Sequence, residues 1–300
     1  MSEMLVIKDL YKCFGDKQVL DGLNMSVPEH SVYGFIGKNG AGKTTTMKMI
    51  LGLLKPDSGE ITVFGEKVIY GQTATNRHIG YLPDVPEFYP YMTAQEYLYF
   101  CGEISGMEKR DIRSRSDELL ELVGLKDEKH RIKGFSRGMK QRLGIATALF
   151  NRPKLLICDE PTSALDPVGR KEILDILLAA KEQTTVLFST HILSDIERIC
   201  TDVAFINGGG IAVQGTIEDI KNKYRTEDYI FEFRDKQTVK HVLKVFPKLV
   251  EKENNQLLLR DNDSSLHEVL AYIAEQKLQI VKFVSVEPTL ESMFLEVIAK

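Results

Sequence analysis

Residues 37–44 read Gly37-Lys38-Asn39-Gly40-Ala41-Gly42-Lys43-Thr44 and satisfy the spacing Gly-x-x-x-x-Gly-Lys-Ser/Thr in full. An apolar run, Ser31–Ile36, precedes them, and a helix-patterned stretch, Thr44–Leu54, follows. Strand, glycine-rich loop and helix in that order make a cradle for phosphate. Glycines let successive main-chain N–H groups turn inward on the anion, and the helix N-terminus adds partial positive charge. Lys43 reaches the outer phosphates, and the Thr44 hydroxyl can ligate Mg²⁺. A bare glycine turn could produce the same residues, but rarely with a strand on one side and a helix on the other.

A second cluster is acidic. Leu155-Leu156-Ile157-Cys158 is a continuous apolar run that ends in Asp159-Glu160. Ligands of open α/β sheets lie beyond the carboxyl ends of the strands. Asp159 is therefore placed beside the phosphate loop, to hold Mg²⁺ through water, and Glu160 to face the outer phosphate and orient a water for attack. Taken alone, Asp-Glu after a strand is as readily a helix cap or a solvated turn. His191 follows a further apolar run, Val186-Leu187-Phe188-Ser189-Thr190, and from that strand end can donate to a phosphate oxygen. A lone histidine is more often ordinary surface or core, so the other motifs carry this reading. Phe135-Ser136-Arg137-Gly138-Met139-Lys140-Gln141 precedes a helix. Ser136 can cap it, and with Gly138 it leaves the helix N-terminus open as a second anion site.

The elements that position these residues alternate. Met4–Leu10, Leu23–Val27, Ile61–Phe64 and His78–Leu82 read as strands, as do Leu155–Cys158, Val186–Ser189, Val203–Ile206 and Ile211–Val213. Ala94–Ile104, Lys109–Val123 and Gly138–Phe150 carry helical periodicity and form a helical subdomain at about 84–150, while Val168–Ala180 and Leu193–Cys200 alternate with strands. Such alternation predicts an α/β core with a mostly parallel sheet. A polar stretch, Asn222–Asp228, sets a boundary, giving domains 1–221 and 222–300. Beyond it the order is strand Tyr229–Arg234, helix Thr238–Phe246, strands Leu249–Glu253 and Gln256–Arg260, helix Leu266–Gln276 and strand Ile280–Val286. That is the split βαβ pattern of a small α+β lobe. A last helix, Thr289–Ile298, closes the chain.

The ordered set of motifs resembles the ATP-binding subunit of an ATP-binding-cassette (ABC) transporter. Gly37–Thr44 stands as its Walker A, with Thr45 behind it, and Leu155–Glu160 as its Walker B and catalytic glutamate. Ser163-Ala164-Leu165-Asp166 stands as the D-loop, Phe135–Gln141 as the LSGGQ-type signature and His191 as the switch histidine. The resemblance covers about Met4–Lys221. It implies a P-loop nucleotide-binding fold that hydrolyses ATP with Mg²⁺. Catalytic roles fall on Glu160, His191 and Lys43. It gives Phe14 as the ring that stacks on adenine, although a core phenylalanine is a fair rival there. It also implies a head-to-tail homodimer or paired cassette, in which Ser136 and Gly138 bind the nucleotide of the other copy. The partner is a separate integral membrane permease, which puts the chain in the cytoplasm, peripheral on the inner face of the membrane. The length and the ending Val286–Leu295 are similar to ABC-2-type exporters of the bacitracin-resistance-like and sodium-efflux-like groups. Three positions depart from the pattern: Arg137 and Met139 replace Gly and Gln in the signature, and Asp84 stands where the family has a metal-touching Gln. Asp84 is expected either to reach the metal through water or to have lost that role.

Six aromatics, Phe88, Tyr89, Tyr91, Tyr97, Tyr99 and Phe100, cluster just after Asp84. Most are expected in the core; the resemblance puts a groove for the permease here, where exposed aromatics suit an interface.

Composition excludes other classes. Lys+Arg is 39 and Asp+Glu 43, for a net charge of −4, so there is no electrostatic footprint for nucleic acid. No run is apolar for long enough to span a membrane, and MSEMLVIKDL lacks the character of a signal peptide. Cys13, Cys101, Cys158 and Cys200 form no CxxC pair and no zinc spacing. The competing function is a soluble cassette ATPase with a non-transport regulatory role.

Overall fold

The chain opens with two long antiparallel strands, β1 (Glu3–Phe14) and β2 (Lys17–Pro28), then β3 (Val32–Ile36) and the first helix, α1 (Lys43–Ile50). Strands β4 (Ser58–Val63) and β5 (Glu66–Lys67) complete an antiparallel sheet in the order β2-β1-β4-β5. The structure is a computed structural model and describes residues 2–223, 228–260, 266–286, 289–291 and 293.

After β6 (Ile79–Leu82) come the three helices of the helical segment, α2 (Ala94–Ile104), α3 (Lys109–Leu122) and α4 (Arg137–Leu149). Thr93 and Glu96 close a capping box on α2: Thr93 Oγ1 accepts from the Glu96 N–H at 3.2 Å, and Glu96 Oε2 accepts from the Thr93 N–H at 2.8 Å. Alternation then resumes with β7 (Leu155–Asp159), α5 (Pro167–Ala180), β8 (Thr185–Thr190), α6 (Leu193–Ile199), β9 (Asp202–Asn207) and β10 (Gly210–Thr216). These form a six-stranded sheet in the order β10-β9-β3-β8-β7-β6, parallel except for β10. Every residue of β3, β7 and β8 is buried. This is why these strands read as unbroken apolar runs rather than alternating ones. Phe35, Ile157 and Leu187 of this sheet pack with Leu5, Ile7 and Met25 of the antiparallel sheet in one core.

By internal packing the chain divides into units 1–217 and 218–300. The division falls at the start of a short helix, α7 (Ile217–Lys223), where the charged sequence had suggested a linker slightly later. The second unit holds β11 (Asp228–Phe233), α8 (Lys236–Val245), β12 (Val250–Lys252), β13 (Gln256–Leu259), α9 (Leu266–Glu275) and β14 (Ile280–Val286). Its sheet runs β12-β13-β11-β14, all antiparallel. Phe231, Phe233 and Leu257 pack against Val239 and Val242 of α8 and Val269 and Ile273 of α9. This is the expected split βαβ lobe. Of the final helix expected at Thr289–Ile298, residues 290, 291 and 293 are helical, and the remainder lies largely outside the described residues. All four cysteines are free. Among the described residues no helix is long and apolar enough to cross a membrane.

Candidate active site

The parallel strands β3, β8, β7 and β6 are consecutive neighbours. In register, Ile36 pairs with Thr190, Asp159 with Ser189 and Leu82 with Cys158. Their carboxyl ends therefore share one edge, and whatever follows each strand meets there. The glycine loop follows β3, His191 follows β8, Glu160 follows β7 and Asp84 lies just beyond β6. A cleft of about 580 Å³ opens at this edge, lined by Asn39, Gly40, Gly42, Lys43, Thr44, Thr45, Asp84, Glu160, Ser163 and His191, with Phe14, Lys17 and Val19 at one side.

Gly42 caps α1 with φ 109°, a backbone state that side chains rarely adopt. A Cβ there would also lie 2.7 Å from Leu20 Cδ2 and 3.2 Å from the Val19 carbonyl oxygen. The loop thus turns sharply into the helix without obstructing it. Lys43, only 6% exposed, donates from Nζ to the Gly37 carbonyl at 2.7 Å, and the same ammonium lies 3.1 Å from Glu160 Oε1. Glu160 Oε2 lies 2.9 Å from His191 Nδ1. An ionised carboxylate can only accept, so the proton sits on Nδ1, leaving Nε2 available to a phosphate.

Glu160 itself has φ 48°, a strained conformation for a side-chain-bearing residue of the kind that gathers at functional sites. Its N–H donates to the Ser189 Oγ at 3.0 Å, and the Ser163 N–H donates to its carbonyl at 3.0 Å. Ser189 Oγ also donates to Asp159 Oδ1 at 2.7 Å. Asp159 is 3% exposed, and among the described residues no cation pairs with it. A buried carboxylate without a counter-charge fits a divalent cation, and with the Thr44 hydroxyl and phosphate oxygens it makes the sparse donor set that Mg²⁺ takes in phosphoryl-transfer sites. Nearby, Tyr81 is pushed up to about 12 by burial and then by the Asp159 charge, so its hydroxyl stays protonated.

Phe14 is half exposed and lines the cleft, with Lys12 Nζ 5.3 Å from its ring centre. Its ring is thus no part of the core, and one face is available for stacking. Ser136 caps α4 by accepting from the Met139 N–H at 3.2 Å. Neither Ser136 nor Gly138 lines the cleft, nor do Gly37, Lys38, Ala41 and Asp159, of which Gly37 and Asp159 are buried and Lys38 is exposed. Asp84 is already engaged: its Oδ1 accepts from Ser163 Oγ at 2.5 Å and lies 3.3 Å from Arg137 Nη2. Sequence reasoning missed Ser189, whose one hydroxyl holds both acidic residues. The available signal was a serine inside the last turn of an apolar strand, two places before His191.

A second cleft, about 520 Å³, is lined by Phe88, Tyr89, Tyr97, Phe100 and Ile104 among others. Phe88 meets Tyr97 edge-on at 5.0 Å, and Tyr89 meets Phe100 edge-on at 5.6 Å.

Comparison with known proteins gives the family and the fold. Residues 20–163 match the family described as "ABC transporter", and residues 215–298 match "ATP-binding protein DrrA1-3-like, C-terminal domain". The chain is 44% identical over 234 residues to the uncharacterized ABC transporter ATP-binding protein YxlF of Bacillus subtilis (strain 168), covering 78% of each. It is 43% identical over 228 residues to the bacitracin transport ATP-binding protein BcrA of Bacillus licheniformis, covering 75% of this chain and 74% of that one. It is 33% identical over 313 residues to the linearmycin resistance ATP-binding protein LnrL of B. subtilis (strain 168), covering 97% of each. Among solved structures, cbiO1 from Clostridium perfringens, part of the ABC transporter complex cbiONQ, superposes with a TM-score of 0.68 at 26% identity, covering 82% of this chain and 97% of that one.

Proposed function

Since the chain belongs to the ABC transporter family of ATP-binding proteins, which are ATPases, we propose that it powers a separate membrane permease of the exporter type through an ATP-sandwiched dimer. The observation that carries this reading is the meeting of Lys43, Glu160 and His191 on one carboxylate at the ends of three neighbouring parallel strands.

Each side chain has a separate task. Main-chain N–H groups of Gly37–Thr45 and the start of α1 bind the phosphates, and Phe14 stacks on the base. Lys43 exchanges Glu160 for the outer phosphates when ATP enters. Glu160, released from that pair, accepts a proton from the attacking water, and His191 holds Glu160 through Nδ1 while its other nitrogen faces the phosphate. Thr44 and Asp159 hold Mg²⁺, which would neutralise phosphate charge. Asp84 Oδ1 is occupied by Ser163 and Arg137, so we assign Asp84 to positioning rather than to the metal.

Ser136 and Gly138 lie outside their own cleft, which supports a role toward the nucleotide of a second copy. Two chains pair head to tail, each ATP lying between the loop of one and the start of α4 of the other. The aromatic cleft around Phe88, Tyr89, Tyr97 and Phe100 receives a helix of the permease, in keeping with the exposure of Tyr89 and Tyr91. The chain then works in the cytoplasm, on the inner face of the membrane. Transport and resistance in the names of BcrA and LnrL support export.

The test is Glu160→Gln, which keeps the shape and removes the base. It is expected to bind MgATP, to lose about 10²–10⁴-fold in hydrolysis, and to accumulate as a dimer by light scattering. Hydrolysis at the wild-type rate rejects the catalytic assignment, and a monomer at saturating MgATP rejects the homodimer. Recovery in mild detergent without any integral membrane protein would favour the regulatory alternative.

A further inference from the structure

Helix α4 begins with Arg137, a cation where the helix already carries partial positive charge. The structure supplies an answer. Arg137 Nη2 lies 3.3 Å from Asp84 Oδ1 and donates to Ser163 Oγ at 3.0 Å, while Ser163 Oγ donates to that same Asp84 oxygen. Arg137 and Asp84 are each nearly half exposed, and a lone pair of that kind counts for little. Here, though, the pair is one end of a longer seam. One turn along the helix, the buried Gln141 donates from Nε2 to the Asp84 carbonyl at 2.6 Å. Next on the same face, a Cβ on Gly144 would stand 2.4 Å from Leu82 Cδ1 and 3.3 Å from Pro86 Cβ, so α4 lies flat against residues 82–86. Asp84 is therefore gripped twice, by backbone and by carboxylate.

Ser163 faces the other way as well. Its N–H donates to the Glu160 carbonyl at 3.0 Å, and both residues line the nucleotide cleft. Three segments distant in sequence meet at one carboxylate, one hydroxyl and one guanidinium, and the main-chain N–H of Ser163, the residue that carries the hydroxyl, is bonded to the carbonyl of the strained Glu160.

Resting on the reading of Glu160 as the base, we infer that Asp84, Ser163 and Arg137 form an ionic latch within one chain that fixes the turn carrying Glu160. Arg137 is thus a positioning residue for ATP hydrolysis and touches no substrate of its own chain. The latch joins the helical segment to the catalytic turn, so movement of α4 is felt at Glu160.

The full chain tests this. Arg137→Ala and Asp84→Ala are each expected to slow turnover at saturating MgATP about tenfold to a hundredfold, with affinity for a fluorescent ATP analogue changed less than about twofold. The double variant falls no further than either single one, because both remove the same link. Amide exchange across residues 160–165 quickens equally in all three. Additive losses, or unchanged exchange in that segment, overturn the latch. Glu160→Gln is measured alongside. If it hydrolyses at the wild-type rate, the assignment of the base fails. If it is inactive while Arg137→Ala turns over normally, the latch alone fails.

Discussion

The imidazole of His191 and the carboxylate of Glu160 meet at 2.9 Å, Nδ1 to Oε2, from the ends of the neighbouring strands β8 and β7. The contact fixes the direction of the carboxylate whose other oxygen faces Lys43. His191→Ala leaves the phosphate loop intact and frees Glu160 to rotate. Turnover should fall by about 10²–10⁴-fold, with nucleotide affinity little changed. Steady-state rates beside equilibrium titration measure the split; a loss mainly of affinity would assign His191 to binding.

Ser189 holds two acidic residues with one hydroxyl, donating to Asp159 Oδ1 and accepting from the Glu160 N–H. Outer-shell partners of this kind typically alter metal affinity by about 10–100-fold when removed. Ser189→Ala should therefore raise the Mg²⁺ concentration needed for half-maximal hydrolysis by about tenfold or more. Chelation with EDTA should abolish hydrolysis in both proteins. An unchanged Mg²⁺ titration would show that Asp159 needs no such support.

Arg115, 2% exposed on α3, closes the end of α4: it donates to the Leu149 carbonyl at 2.6 Å and the Phe150 carbonyl at 3.3 Å. Those are the carbonyls a helix end leaves unpaired. Arg115→Met keeps the volume and removes both donors, which should destabilise the ATPase unit by about 2–3 kcal/mol. Urea titration should show a lower midpoint at unchanged slope. A midpoint equal to wild type would mean the carbonyls find water.

Asp195 is buried on α6, accepting from Thr162 Oγ1 at 2.7 Å, with Arg170 Nε 4.0 Å away. Burial raises its pKa above the ordinary 3.8, against the opposing pull of Thr162 and Arg170. A raised native value means that the folded state holds the proton more tightly than the unfolded chain. The stabilisation is complete below the ordinary value and is lost as pH rises through the native one. Asp195→Asn keeps an acceptor for Thr162 and never ionises. Its melting temperature relative to wild type should therefore rise between about pH 4 and pH 7. A constant difference over that range would mean that Asp195 titrates normally.

Much of this was legible from residue types alone. Gly37–Thr44 announces itself because a phosphate cradle needs glycine, lysine and a strand-to-helix turn in one short stretch, whereas Asp159-Glu160 and His191 gain their reading only from the presence of that loop. Helix α2 begins where its periodicity does, because Thr93 and Glu96 cap its N-terminus locally. Helix α7 was missed, since only Ile220 of its residues is buried, and a polar helix has no periodic signature.

What only the tertiary structure decided is the company each residue keeps. The order β3-β8-β7-β6 brings four loop ends to one edge, although β6 and β7 are separated by the whole helical segment. Arg137 and Asp84 stand 53 residues apart and look like unrelated departures in two separate motifs, yet they share one hydrogen-bonded seam. Ser189 looks like any strand residue until its hydroxyl is seen between two carboxylate-bearing turns. Local spacing encodes backbone conformation and the chemistry a segment can offer. Which distant side chains satisfy one another's charges and hydrogen bonds depends on strand order and helix packing, and those come from burial across the whole chain.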